Sequence, residues 1–334
     1  MRRGGVWLIL LSIALSIAVP LAYGGAAALS ALRELPAAVF ALLLFMVILS
    51  WLCSAARLRL LTRALGIYLS TDYAVSTVVA SEFAAVTTPL GSGSLPAHVL
   101  LLSRRGLSAG RTVAVMAMDR VMDLIFFAIA LPIVFVFFGL ESGQGDLPRW
   151  GAIAGGLLLS ALCLLYALIR RHRSLVAYAA RAIGRVPGLK NRRGRLVRAF
   201  IQFRNSMRLL FKMGRGPLSA LCILCMSHWL IRYSILPVLL WAAGQAVPWS
   251  YLFIVQGLAL FVGQMSMLPG GGGGVELALS VLLRPYLTSA VTAASLLGWR
   301  FITFHCSILA GALVFPWLMS RRPANRITNA RLIE

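Results

Sequence analysis

The sequence predicts an all-α polytopic membrane protein, an inverted repeat of about six full spans plus two re-entrant hairpins. Three observations carry this. Of 334 residues, 60% are hydrophobic and 12% charged, with a mean hydropathy of +0.87. A soluble fold of that length cannot hide so much apolar surface, so hydrocarbon is its solvent. Apolar runs of spanning length alternate with short basic segments. Finally, Pro89 and Pro269 sit in Gly-rich breaks 180 residues apart. Each is followed 31 residues later by an arginine in the next apolar run, Arg120 and Arg300. Pro36 and Pro217, which open the preceding runs, are offset by 181. Internal repeats with interrupted helices are a recurrent way of building transporters.

The uninterrupted apolar runs are 5–25, 36–56, 111–139, 150–169, 217–242 and 288–318. At about 1.5 Å per residue each covers a hydrocarbon core of about 30 Å. The first opens with Met1-Arg2-Arg3, as a signal peptide does, but it is long for one and reads as an uncleaved span. Runs 72–102 and 250–287 are broken near their middle by Pro and Gly. Arg2 and Arg3, Arg57, Arg59 and Arg63, Arg104, Arg105 and Arg111, and Arg321, Arg322 and Arg326 all flank spans on what is then the cytoplasmic side. Loops around Glu34, Glu141 and 243–249 are poor in Lys and Arg and face outward. This assignment forces each broken run to enter and leave by one face. Residues 36–139 and 217–318 become inverted halves of a single integral domain spanning 1–334. The location is a bacterial cytoplasmic (inner) membrane, with both termini cytoplasmic.

The net charge of +23 could suggest nucleic acid, but its placement between spans follows the positive-inside rule without such a partner. Segment 170–216 holds 14 Lys and Arg with no Asp or Glu. Residues 174–183 and 196–211 have helical apolar spacing with Arg opposite, as amphipathic helices on an anionic lipid surface do. The five cysteines all lie in apolar runs and read as packing residues, including the Cys222/Cys225 pair. No cofactor and no metal-ligand spacing is evident.

Charge in the bilayer core is costly and marks function by default. The candidates are Glu82, Asp119, Arg120, Asp123, Arg232, Glu276 and Arg300, with His98 beside the first break. Asp119 and Asp123 share a helix face, and Arg120 can pair with Asp123. Arg232 has no local acid, so it must find Glu82, Asp119, Asp123 or a lipid phosphate. Glu276 could meet a cation, exchange a proton, pair with Arg300 or simply favour a helix N-terminus. Glu82 and His98 are about equally far from the first tip and could face each other. The breaks themselves, Pro89, Gly91 and Gly93 in the first and Pro269, Gly271 and Gly273 in the second, offer backbone N–H groups to an anion. Irregular backbone at membrane depth survives only when buried in protein or lining a wet cavity.

Two stretches carry a family resemblance. One is Ser103-Arg104-Arg105-Gly106-Leu107-Ser108 leading to Met118-Asp119-Arg120-Val121-Met122-Asp123-Leu124. The other is Leu268-Pro269-Gly270-Gly271-Gly272-Gly273-Gly274-Val275-Glu276 leading to Arg300. With these, nearly the whole chain resembles the flippase-like family that includes the transmembrane region of lysylphosphatidylglycerol synthase. Family members often carry a Gly-Glu pair and a following Arg near the first hairpin. Here Gly93 is followed by Ser94-Leu95-Pro96-Ala97-His98, which leaves that contact to His98 or to nothing. The soluble aminoacyl-transferring domain is not in this sequence, so the resemblance implies lipid translocation rather than lysyl transfer. The expected function is movement of an anionic or modified lipid between leaflets, not an enzymatic reaction. The alternatives are a membrane-embedded transferase acting on a lipid carrier, or a partner of a separate lipid-modifying enzyme.

Overall fold

The computed structural model describes residues 3–141 and 193–320, together with scattered positions between 152 and 163. All regular structure among the described residues is helical. The order is α1 (Arg3–Arg33), α2 (Ala37–Ala64), α3 (Thr71–Val86), a 3₁₀ turn Pro89–Gly91, α4 (Ser94–Ser103) and α5 (Ala109–Glu141). It continues with α6 (Arg193–Phe211), α7 (Arg215–Ala242), α8 (Trp249–Met265), a second 3₁₀ turn Pro269–Gly271 and α9 (Gly274–Leu282). Last come α10 (Ser289–Arg300), a π-helical turn Phe301–His305 and α11 (Cys306–Ser320). Five helices among the described residues are long and apolar enough to span: Gly5–Arg33, α2, α5, α7 and Ser289–Ser320. The chain is a multi-span membrane protein. The expected span 150–169, but for those scattered positions, and the expected surface helix 174–183 fall outside the described residues.

Proline sets several of these boundaries. Pro36 and Pro248 stand in extended backbone immediately before α2 and α8, where a missing N–H costs nothing. The two breaks are built alike: Pro89 and Pro269 each occupy the first position of a 3₁₀ turn. The next residue lies in the left-handed region in both, Leu90 at φ 54°, ψ 19° and Gly270 at φ 59°, ψ 13°. Gly91 and Gly271 follow at φ 65° and 69°. The 180-residue offset is thus a match in backbone conformation as well as in residue type. It ends at the fourth residue, where Ser92 has ψ −19° and Gly272 has ψ 137°, and the fifth differs in φ as well, −74° at Gly93 and 80° at Gly273.

The helices pair in a crosswise pattern. α2 lies along α7, and the two 3₁₀ turns touch each other. α3 packs on α11, while α8 packs on α5, so each broken unit rests against the helix that closes the other. α1 runs along α10, and α6 along α5. Small residues permit these approaches: a Cβ on Gly110 would strike the Ala199 carbonyl, and one on Gly311 would strike the Phe83 side chain.

Helix ends gather at two poles. At one, the Tyr73 hydroxyl donates to the Leu101 carbonyl (2.8 Å) and Arg104 donates to the Leu318 and Met319 carbonyls (3.1 and 3.0 Å). Arg111 there donates to the Leu65 carbonyl at 2.5 Å. At the other, Ser250 bonds Glu141 and the Tyr251 hydroxyl bonds the Leu282 carbonyl. The flanking arginines therefore cap helix C-termini, neutralising orphan carbonyls and the negative end of the dipole. One of them does something else. The expected span 36–56 continues to Ala64, so Arg57 is inside a helix and 2% exposed, not at an interface. A charge at the end of an apolar run marks a membrane boundary only when the helix stops there.

Candidate functional site

The site is assembled from helical spacing on four elements. On α2, Ser50, Ser54 and Arg57 fall at i, i+4 and i+7, a single stripe. On α5, Asp119 and Asp123 form another, and Arg57 lies between them: its Nη2 is 2.5 Å from Asp119 Oδ1 and 2.8 Å from Asp123 Oδ1. Arg120 closes the group from the open side, 2.9 Å from Asp123 Oδ2 and 3.3 Å from Asp119 Oδ2. Its side chain is 66% exposed, against 3% for Arg57. From α7, the Trp229 indole N–H donates to Asp123 Oδ1 (2.9 Å) and Cys225 Sγ stands 3.6 Å from the same oxygen.

A second charged group faces this one. Arg232, one turn beyond His228 on α7, donates to Glu82 Oε1 at 2.9 Å. Trp51 donates to Glu82 Oε2 (2.5 Å) and Ser307 to Oε1 (3.2 Å). Of the partners that spacing allowed Arg232, the fold selects Glu82. His228 Nδ1 sits 3.0 Å from both the Ser54 hydroxyl and the Ser50 carbonyl. His98 Nδ1 lies 2.9 Å from the Ser94 carbonyl, one turn back on α4. Glu82 and His98 are therefore each satisfied by other groups.

Both groups line one cavity of about 890 Å³ between α2, α3, α5 and α7. Its wall carries three arginines (Arg57, Arg120, Arg232) and three carboxylates (Glu82, Asp119, Asp123), together with His98, His228 and Gln264. The first break forms its lip, with Leu90, Gly91, Ser92, Ser94 and Leu95 on the lining. Charges at this depth survive because each is paired and because the cavity is polar.

The second break is built as a packed joint instead. Arg300 Nε approaches Glu276 Oε1 at 2.6 Å, and the same guanidinium donates to the Gly270 carbonyl at 3.2 Å. Glu276 is fully buried and Arg300 is 3% exposed. The contact is ionic rather than an aligned hydrogen bond, since neither Glu276 oxygen has a hydrogen-bond partner. A Cβ on Gly272 would strike Ser12 of α1, one on Gly271 would lie 3.0 Å from the Gly263 backbone, and one on Gly270 would enter the Phe304 ring. The Ser12 hydroxyl donates to the Pro269 carbonyl. The glycines of this loop admit protein, where the sequence suggested a ligand.

The sequence-derived residues divide accordingly. Arg120, Arg232, Asp119, Asp123, Glu82, His98 and Gly91 converge on the cavity. Pro89, Gly93, Pro269, Gly271, Gly273, Glu276 and Arg300 are not on its lining. Several of the backbone N–H groups expected to cradle an anion are engaged within the turns. Gly91 and Ser92 donate to the Thr88 and Pro89 carbonyls (3.2 and 3.1 Å), and Gly93 to Thr88 Oγ1 (2.8 Å). In the second break, Gly271 and Gly272 donate to the Leu268 and Pro269 carbonyls (2.9 and 3.3 Å). A tight 3₁₀ turn satisfies donors of its own, so these N–H groups are not free to hold an anion. Arg57, Trp51 and Trp229 were not singled out. Their apolar surroundings gave no sign that they hold the acids.

The family model of the lysylphosphatidylglycerol synthase TM region matches residues 9–311, which include the whole cavity and both breaks. The chain belongs to this family. It is also similar to a UPF0104 membrane protein of Archaeoglobus fulgidus, 26% identical over 268 residues that cover 79% of this chain and 81% of that protein. Ser94, Leu95 and His98, which follow Gly93 in the first break, stand on the cavity wall.

Proposed function

We propose that the protein translocates an anionic or modified lipid between leaflets, with the headgroup in the polar cavity and the chains in the bilayer. The observation that carries this is Arg120. It is a guanidinium 66% exposed inside a cavity walled by spanning helices, held by carboxylates it can exchange for a phosphate. Arg57 keeps Asp119 and Asp123 compensated when Arg120 turns away. Glu82 and Arg232 face them across the cavity and are the second pair that a headgroup would separate. The matched breaks, with tips in contact and open ends at opposite poles, support a reading as re-entrant hairpins of an inverted repeat spanning 36–139 and 217–318. That architecture suits alternating access about a fixed site. Exposed Arg198, Arg204 and Arg208 on α6 would rest on anionic lipid at the cytoplasmic face.

The test is leaflet exchange of labelled phosphatidylglycerol and phosphatidylethanolamine in liposomes containing the full chain. Exchange above the protein-free rate, lost in Arg120→Ala and in Glu82→Gln, is expected. Wild-type rates in both variants would dismiss the cavity as the site. Protein-free rates with every headgroup would dismiss translocation.

A further inference from the structure

Beside the polar cavity runs a second, apolar hollow of about 500 Å³. On α5 its wall is the stripe Met122, Phe126, Ile129, Ile133 and Phe137, at helical i+3 and i+4 spacing; α7 and α8 face that stripe. Met122 and Cys225 line its inner end; Met122 precedes Asp123 in the chain, and Cys225 Sγ is 3.6 Å from Asp123 Oδ1, which lines the polar cavity. Glu141 and Ser250, bonded to each other, stand at its outer end. The nineteen steps from Met122 to Glu141 measure about 28 Å at about 1.5 Å each, close to the thickness of the hydrocarbon core.

We propose that this groove holds an acyl chain of the lipid whose headgroup occupies the polar cavity; it rests on the lipid reading given above. Between its ends the wall presents only apolar and thiol side chains, so a ligand lying along it has no hydrogen bond to make. Its rim residues Ile129 (56%), Ile133 (50%), Phe137 (56%) and Met226 (51%) are open to the side, where the surrounding medium is lipid tail. A headgroup near Asp123 therefore has a chain-shaped channel starting within one side chain of it. The partner chemistry is a long hydrocarbon chain ester-linked to a polar head, not a soluble hydrophobe or a second copy of the chain.

Two probes test this: phosphatidylglycerol carrying a diazirine in the acyl chain, and the same lipid with the diazirine on the headgroup, each photolysed with the full chain in bilayers. Adducts of the acyl probe should concentrate several-fold on Ile129, Ile133 and Met226 relative to outward residues such as Phe45 and Leu313. Met226→Trp and Ile133→Trp, which fill the groove from its rim, should remove that excess while leaving headgroup adducts near Arg120. Uniform acyl labelling around the bundle, or an excess that survives both substitutions, would overturn the groove. Disulfide-linked dimers of Ile133→Cys in place of lipid adducts would assign it to a second copy and equally overturn it. Groove labelling without leaflet exchange would sink translocation alone.

Discussion

Arg57 and Arg120 touch the same two carboxylates at similar distances, yet should differ widely in what they contribute. Arg57 is 3% exposed and lies 2.5 and 2.8 Å from Asp119 and Asp123; Arg120 is 66% exposed and lies 3.3 and 2.9 Å from them. Removing a buried partner strands uncompensated charge and costs about 3–5 kcal/mol, whereas an exposed ion pair is worth less than about 1 kcal/mol. At roughly 2.1 cal/mol/K per residue over 334 residues, the Arg57→Ala loss lowers the unfolding midpoint by at least about 4 °C. Helices that stay formed in the membrane reduce the unfolding entropy and enlarge that shift. Arg120→Ala should move the midpoint by about 1 °C or less while abolishing exchange. The assay is thermal unfolding of both proteins in the same lipid nanodiscs. Arg57→Ala combined with Asp119→Asn removes one charge of each sign and should recover part of the loss. Equal shifts for the two arginine variants, or no recovery in the double variant, would refute the division between a structural and a working arginine.

Four further outcomes are expected. Leu90 occupies left-handed backbone at a cost of about 1–2 kcal/mol, so Leu90→Gly should be neutral or stabilising, whereas Leu90→Val should destabilise; thermal midpoints decide between them. Gly270→Ala, at the matching position, should lower the midpoint because the added methyl enters the Phe304 ring. Glu276→Gln should destabilise by leaving the buried Arg300 cation unpaired, and exchange normalised to folded protein should stay at wild-type level; a normal midpoint with lost exchange would move Glu276 into the working site. In a cysteine-free background, Ser70→Cys and Ser103→Cys, at the two open ends of the first broken unit, should both react with a charged maleimide added from the same side, and labelling from opposite sides would contradict a hairpin entering and leaving by a single face.

The sequence made the backbone plan legible because its signals are local. Apolar length marks spans, and Pro with Gly marks breaks. The offset between Pro89 and Pro269 therefore surfaces as two turns of nearly the same dihedral angles. The carboxylates of the site were legible for the same reason, since an acid within an apolar run stands out. Arg57 was not, because it directly follows the apolar run 36–56, where a boundary charge is expected, and the helix continues eight residues past that run to Ala64. Trp51 and Trp229 count as apolar in any periodicity, so their donor N–H groups are visible only once Glu82 and Asp123 lie beside them. The glycine run 270–274 showed that something must come close, and only the fold shows that it is Ser12, Leu15, Gly263 and Phe304.

That last contact bears on how the protein is made. Ser12 and Pro269 are 257 residues apart. At about 5–20 residues per second, the ribosome needs roughly 13–50 seconds to supply the loop that α1 seals. Throughout that interval α1 has no second break to cover and no α10 to lie along. It waits with Ser12 and Ser16 as its inward-facing polar atoms, mild enough for lipid to tolerate, and Ser16 later reaches His305 at 3.1 Å. The joint at the second break is therefore closed by two segments made far apart in time, and it forms only after α1 has stood without this partner.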